Sequence, residues 1–318
     1  MSVLYLTEAE VARLLDLRSV IDAVHESFRQ LAAGAATNVP RTRAIGKGVV
    51  LHTMSGAADY LGLVGWKCYT TTRQGAKFLA GLYDSSSGEL VALIEANRLG
   101  QLRTGATTAV AVEWLAAPTA AEVGLVGAGY QAQTQLAAVA AARPIRRAFV
   151  YSRSEEKRDA FAEQMSNELK IEVVPVDRPR EAVEDLPIVV TATTSKTPVL
   201  DGADLAEGTL VCAMGSNWLS RAELDAATLR RADNVVCDSI AACQHEAGDF
   251  VDALEKGIFR WDRAVELADV VAGRAVGRSR SESVVVFKSV GMGIEDVATG
   301  ALLVQRAKAQ GLGTMLPI

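Results

Sequence analysis

The run Gly127-Ala128-Gly129-Tyr130-Gln131-Ala132 carries the most specific chemistry in this sequence. It is a G-x-G-x-x-A pattern, which suits a main chain that must approach a pyrophosphate closely. Alone, such a pattern is weak. Here it follows the apolar run Val123-Gly124-Leu125-Val126 and opens a helical stretch, the context the mechanism demands. Gly127 permits the tight turn, Gly129 lets the backbone near the phosphates, and Ala132 keeps helix close to strand. Ala128 and Gln131 belong to the same turn, where backbone N–H groups and the helix dipole favour negative charge. The bland alternative is a tight strand–helix turn with no nucleotide; the matched context favours a dinucleotide.

The end of the following strand separates NAD from NADP. A carboxylate there would bind the ribose 2′-hydroxyl. This chain has Ser152, Arg153 and Ser154 instead. Nothing acidic repels a 2′-phosphate, and an arginine with two hydroxyls can hold one by charge-assisted hydrogen bonds. NADP(H) is the expected cofactor, with NAD(H) as the second choice. Thr193, just past the run Ile188–Thr191, completes the expected cofactor contacts. A solvated arginine opening a helix ahead of Glu155 and Glu156 is the plainer reading of Arg153.

Basic residues of the first third suggest a site for a carboxylate, which arginine holds bidentately. Arg41 and Arg43 lie in Val39-Pro40-Arg41-Thr42-Arg43, and Lys67 sits in the apolar run Val64-Gly65-Trp66-Lys67-Cys68. Arg103 is placed at the start of a helix running from about Leu102 to Ala116. A helix dipole disfavours a cation there unless an anion is present. Singly, each is an ordinary surface charge or ion-pair partner. Lys67, with apolar neighbours, can also hold or pass a proton.

The elements that must position these residues follow from pattern. Thr7 and Glu10 form a capping box for a first helix, and Val20, Val24, Phe28 and Leu31 recur at helical spacing before Gly34. Residues 40–95 read as short strands with turns, hence a largely antiparallel sheet. From Ala121 strands alternate with helices. The strands are 123–126, 148–151, 172–176, 188–191, 209–213 and 234–237; the helices include 131–142, 155–169 and 222–229. That grammar means a parallel sheet covered on both faces. A strand at 284–288 and a helix from about Glu295 to Gln310 close the chain. The fold class is therefore α/β: a Rossmann-type doubly wound sheet, residues 118–289, inserted into a discontinuous α+β substrate domain, residues 1–117 and 290–318.

Composition narrows the function. The 318 residues are 49% hydrophobic and 22% charged, an ordinary globular profile. Lysine plus arginine is 33 against 38 acidic residues, a net charge of −5, so neither nucleic acid nor an anionic membrane is an expected partner. The 3 histidines and 4 cysteines argue against a metal centre, a disulfide scaffold and histidine catalysis. Cys68, Cys212, Cys237 and Cys243 form no C-x-x-C pair and fit a reducing, cytoplasmic setting. No signal peptide or membrane-length apolar run is visible.

In order and spacing, Pro40-Arg41-Thr42, Gly65-Trp66-Lys67, Leu102-Arg103-Thr104-Gly105-Ala106, the glycine loop and Phe287-Lys288-Ser289-Val290-Gly291-Met292 resemble the ornithine cyclodeaminase/mu-crystallin family over essentially the whole chain. The resemblance implies a nicotinamide cofactor, a small α-amino or α-imino acid as substrate, and a homodimer joined through the substrate domain. It assigns Arg41, Lys67 and Arg103 to the substrate carboxylate and offers no counterpart for Arg43. The family's cyclodeaminases carry a catalytic aspartate where this chain has Asn217, in Met214-Gly215-Ser216-Asn217-Trp218. Asparagine orients an amine or water but is no general base near neutral pH. The departure weighs against ornithine cyclodeaminase and alanine dehydrogenase activity. It favours reduction of a ketimine or cyclic imine such as pyrroline-2-carboxylate, with Lys67 and Asn217 at the reacting nitrogen. A non-catalytic, nucleotide-dependent binding protein is the remaining alternative.

Other residues attract lesser expectations. His245, Glu246 and Asp249 read as a polar turn near the cofactor rather than a metal cluster. His52 reads as a hydrogen-bonded structural histidine, and Ser195 and Ser289 lack triad partners in sequence. Asp296 either caps the last helix or reaches the nicotinamide. The tryptophans read as packing residues, with Trp218 set apart because it follows Asn217.

Overall fold

Thr7 accepts from the Glu10 N–H while Glu10 reaches back to the Thr7 N–H, so the expected capping box forms. The computed structural model describes residues 2–317. Its first elements are β1 (Ser2–Leu6), α1 (Glu8–Leu14), α2 (Leu17–Ala33), β2 (Ala36–Gly46), β3 (Val49–Ala58), β4 (Leu63–Thr72), β5 (Gly75–Asp84), β6 (Leu90–Glu95) and α3 (Asn97–Leu115). There follow β7 (Glu122–Val126), α4 (Tyr130–Ala142), β8 (Arg147–Tyr151), α5 (Glu155–Leu169), β9 (Glu172–Pro175), β10 (Ile188–Thr191), β11 (Leu210–Ala213), α6 (Ala226–Arg231) and β12 (Asn234–Cys237). The chain ends with α7 (Ile240–Glu246), α8 (Val251–Glu255), β13 (Ala264–Glu266), α9 (Leu267–Val271), β14 (Val285–Lys288), α10 (Gly293–Gln310) and β15 (Thr314–Pro317).

The chain divides into two units, Met1–Ala106 with Gly291–Ile318, and Thr107–Val290. The first crossing falls inside α3, ahead of the Pro118 region where sequence pattern set it.

The first unit holds a 7-stranded sheet in the order β15-β1-β6-β5-β4-β3-β2. From β2 to β6 the strands pair antiparallel in sequence order, as alternation and turns dictate. One sheet face is buried: Leu6, Ile94, Leu82, Ala80 and Met54 lie on it, with the charged Lys67 among them. α10 lies across this face, and Gly56 and Gly65 let it in. A Cβ on Gly56 would stand 2.9 Å from the Ile294 backbone, and one on Gly65 2.9 Å from the Val297 side chain. α2, ended by Gly34 at φ 76, lies beside α10 and buries Val20, Val24 and Phe28. A bulge in β2 sets Pro40 and Arg41 against the single residue Met54, between the pairs Val39↔Ser55 and Thr42↔Thr53.

α3 begins at Asn97, a turn and more before the expected Leu102. Its first N–H groups, of Asn97 and Arg98, donate to the Glu8 carboxylate. A distant acid thus caps this helix, and no local signal marks its start.

The second unit is an 8-stranded, wholly parallel sheet in the order β13-β12-β14-β11-β10-β7-β8-β9. β10, β11 and β14 are buried along their whole length, which explains why they are apolar up to the closing Thr191 and Lys288. From β7 the chain winds outward through β8 to β9, then returns to β10 on the other side. The order therefore reverses between β7 and β10, where open α/β sheets bind ligands beyond their carboxyl ends. The expected helix at 222–229 is corrected to α6, which starts only at Ala226. The N–H groups of Glu223 and Leu224 donate to Asp249, so this stretch stays extended and Asp225 becomes the cap.

Candidate functional site

In the first unit the carboxylate candidates gather on one face of the sheet. Lys67 stands opposite Met54 on β3, and Tyr69 opposite His52. The bulge turns Arg41 onto this face, with its guanidinium 5.9 Å from the centre of the Tyr69 ring. Arg43 pairs with His52, so it shares the face that sequence alone did not assign it. The His52 ring stacks on Tyr69 at 4.2 Å, and its Nε2 lies 3.0 Å from the Thr71 hydroxyl. Burial pushes the His52 imidazole down to about 4, and Arg43 and then Arg41 push the same way. His52 is thus a neutral wall of the strip.

Lys67 is buried, and its Nζ donates to Asp296 Oδ1 at 2.7 Å. Arg103 Nε donates to the same oxygen at 3.1 Å, and Arg103 Nη1 to Glu295 Oε2 at 2.8 Å. Arg103 is therefore not the cation at a helix start that the dipole argument supposed. It sits in the second turn of α3, held by two acids from the first turn of α10. Asp296 neither caps α10 nor stands apart; it joins the two cations. Burial lowers the Lys67 ammonium to about 8, with Arg103 adding to the effect and Asp296 opposing it. For Arg103, burial also works against the charge, but Asp296 and Glu295 outweigh it and the pKa rises. The result is a buried ammonium that gives up its proton more readily than an exposed lysine, beside a guanidinium that keeps its charge. Such a pair can bind a carboxylate and hold a transferable proton.

In the second unit the glycine turn has the form a dinucleotide requires. Gly127 adopts φ 121, and a Cβ on it would stand 2.5 Å from the Ala192 carbonyl oxygen. Gly129 caps α4 with no side-chain hydrogen bond, and a Cβ there would meet nothing within 4 Å. The turn is thus closed on the protein side and open where phosphates would approach. Ala128 is half-buried, Gln131 is exposed, and Ala132 is buried between helix and strand. Ser152 is half-buried and Arg153 exposed at the end of β8. Ser154 caps α5 by accepting from Lys157 N, which leaves its hydroxyl hydrogen available. These residues fit a nicotinamide dinucleotide, with no carboxylate at the ribose position.

Thr193 follows β10 and Asn217 follows β11, two neighbouring strands. Both loops are fastened to Glu223, whose carboxylate accepts from Thr193 N and from Gly215 N. Asp249 pairs with Lys288 at 2.7 Å and is fully buried, so the expected polar turn is a structural ion pair. Ser289 donates to Asp238, a structural contact. Among the described residues no cluster of histidine, cysteine and acidic side chains is arranged to hold a metal. None of the described helices is long and apolar enough to cross a membrane. Sequence reasoning missed Glu295 and Glu223. Glu295 stands 192 residues from its partner Arg103, and nothing local reports that contact.

Comparison with known proteins now adds a second line. The chain is 34% identical over 271 residues to a Δ1-pyrroline-2-carboxylate reductase of Bacillus cereus, covering 83% of each. The Thermococcus litoralis Δ1-pyrroline-2-carboxylate reductase, solved with NADH and L-proline, superposes with a TM-score of 0.94 at 32% identity, covering 98% of this chain and 99% of that one. An archaeal alanine dehydrogenase dimer with bound NAD gives a TM-score of 0.94 at 27% identity over the full length of both chains. The profile of the ornithine cyclodeaminase/mu-crystallin family matches residues 2–311, and the chain belongs to that family.

Proposed function

We propose that this protein is a nicotinamide-dependent reductase of the C=N bond of a small, cyclic α-imino acid, giving a proline-like amino acid. The observation that carries the reading is the buried Lys67, paired to Asp296 and flanked by Arg103 and Arg41. When bound, the reduced cofactor supplies the hydride. Arg41 and Arg103 bind the substrate carboxylate and fix the ring beside Lys67. Lys67 Nζ holds a proton for the imine nitrogen, which must be protonated to accept a hydride at its carbon. Asn217 orients that nitrogen by hydrogen bonding and removes no proton from it. Similarity to pyrroline-2-carboxylate reductases at 34% and 32% identity supports the same substrate class.

The cofactor we assign is NADPH, from Ser152, Arg153 and the absence of an acid at the end of β8. The protein would work as a cytoplasmic homodimer. The outer face of β2, β3 and β4 exposes Val39, Leu51 and Val64, and a second copy would cover them. The test is direct. Purified protein is mixed with Δ1-pyrroline-2-carboxylate or Δ1-piperideine-2-carboxylate and either NADPH or NADH, and loss of the reduced cofactor is followed. Turnover of at least one imine, faster with NADPH, is expected. Silence with both imines, together with ammonia release from ornithine, overturns the reductase reading.

A further inference from the structure

The loop bearing Asn217 is held by a buried charge network that the proposed chemistry does not itself use. We propose that Glu223 is a positioning residue that locks the Thr193 loop to the Asn217 loop and so fixes where Asn217 stands. This rests on the reading that Asn217 acts at the substrate nitrogen.

β10 ends at Thr191 and β11 at Ala213, paired side by side. Beyond these ends the two loops would be free to separate. The Glu223 carboxylate lies between them and is buried. Its Oε1 accepts from Thr193 N and the Thr193 hydroxyl, both at 2.7 Å. Its Oε2 accepts from Gly215 N at 2.6 Å and the Thr191 hydroxyl at 3.0 Å. Each oxygen therefore faces one backbone N–H, a donor that cannot reverse its role. A hydroxyl can turn to accept; an N–H cannot. A carboxyl group offers an acceptor to each loop at once, which an amide of the same size cannot. A Cβ on Gly215 would strike Thr193 and the Glu223 carboxylate itself, so the contact admits no side chain.

The backing is equally specific. Asp249 Oδ1 accepts from the N–H groups of Glu223 and Leu224 at 2.6 and 3.0 Å, fixing the clamp's own backbone. Lys288, buried at the end of β14, pairs with Asp249 Oδ2 at 2.7 Å and donates to the Ser216 carbonyl at 2.8 Å. That carbonyl belongs to the peptide bond leading into Asn217. An ammonium on its oxygen polarises the bond and strengthens the Asn217 N–H as a donor. Burial raises the Glu223 pKa, and the nearby Lys288 charge opposes that rise.

The experiment is a double-mutant cycle with Glu223→Gln and Asn217→Ala, read in imine-reduction kinetics and in amide hydrogen exchange. Glutamine is the same size, but its NH2 group must face one of the two fixed N–H donors. In the native background E223Q should lower kcat about tenfold, and in the N217A background less than about twofold, because the two act as one unit. Equal losses in both backgrounds overturn the proposal. So does N217A alone leaving kcat unchanged, although the reductase reading would then stand. Exchange should quicken in both 192–195 and 214–217. A rise confined to the turn around residue 223 overturns the clamp, and this arm holds even if the wild type reduces no imine. If E223Q fails to fold, Glu223→Asp keeps the charge but cannot span both loops, and it should loosen one of them alone.

Discussion

At the scale of single residues, Lys67 is the most informative. Its ammonium is held near a pKa of about 8 mainly by burial. If Lys67 Nζ donates the proton, the protonated form is the active one. The rate of imine reduction should then be level below that pKa and fall tenfold per pH unit above it. Lys67→Met should lower kcat by roughly 10²–10⁴-fold, the range for a lost general acid. It should also abolish the alkaline limb, and a variant that keeps the same limb would assign it to another group. The substitution breaks a buried ion pair, which costs about 3–5 kcal/mol when one charge is left alone. Arg103 still contacts Asp296, so the loss of stability should fall at the low end. Asn217→Asp restores the acid of the cyclodeaminases and should bring a slow release of ammonia from ornithine; none at all would show that Asn217 is not what bars that route.

At the scale of elements, the glycine turn separates fold from ligand. Gly127→Ala forces a side chain onto φ 121 and against the Ala192 carbonyl. It should destabilise the second unit by about 1–3 kcal/mol, seen as a lower melting temperature. Gly129→Ala adds a methyl into open space at an ordinary φ of −96 and should leave the melting temperature of the free protein in place. Its cost should fall on the cofactor, with Kd for NADPH rising about tenfold by titration, since only Gly lets the main chain approach the pyrophosphate. A Gly129→Ala protein with native affinity would place the phosphates elsewhere. The same elements show what sequence could reveal. The inner parallel strands were legible because burial on both faces leaves apolar runs, and β10 and β12 begin and end where pattern put them, whereas the three-residue edge strand β13 was not foreseen. α1 and α2 were legible through local signals at Thr7 and Gly34, while α5 came from the alternation of strands and helices and the structure adds its Ser154 cap. α3 was misplaced because its cap, Glu8, lies 89 residues before Asn97. β15 is mostly exposed and carries no alternation, so nothing announced it. Lys67 was legible as a cation among apolar strand residues, whereas Arg103 drew notice for a helix start it does not occupy and Arg41 through the family resemblance. Their acids were not legible, because the pairing of Lys67 with Asp296 spans 229 residues.

At the scale of the whole molecule, the outer face of the β2–β4 sheet asks for a partner. Leu51 is 42% and Val64 40% exposed, on the face opposite Lys67. Sedimentation should give a dimer, and Leu51→Lys combined with Val64→Lys should give a folded monomer. A wild-type monomer at micromolar concentration, or a dimer indifferent to both lysines, would move the interface away from this face.

The acids that hold Lys67 and Arg103 arrive on α10, after the whole nucleotide unit has been made. This imposes an order on synthesis. While the ribosome builds residues 107–290, β4 and the first half of α3 have already been made, yet the carboxylates that make their cations tolerable inside a core have not. At about 5–20 residues per second the wait lasts roughly 10–40 s. The first unit would spend that time as an incomplete sheet, still without α10 and its edge strand β15. Chaperone demand, if this chain has any, should therefore concentrate on the sequence made first.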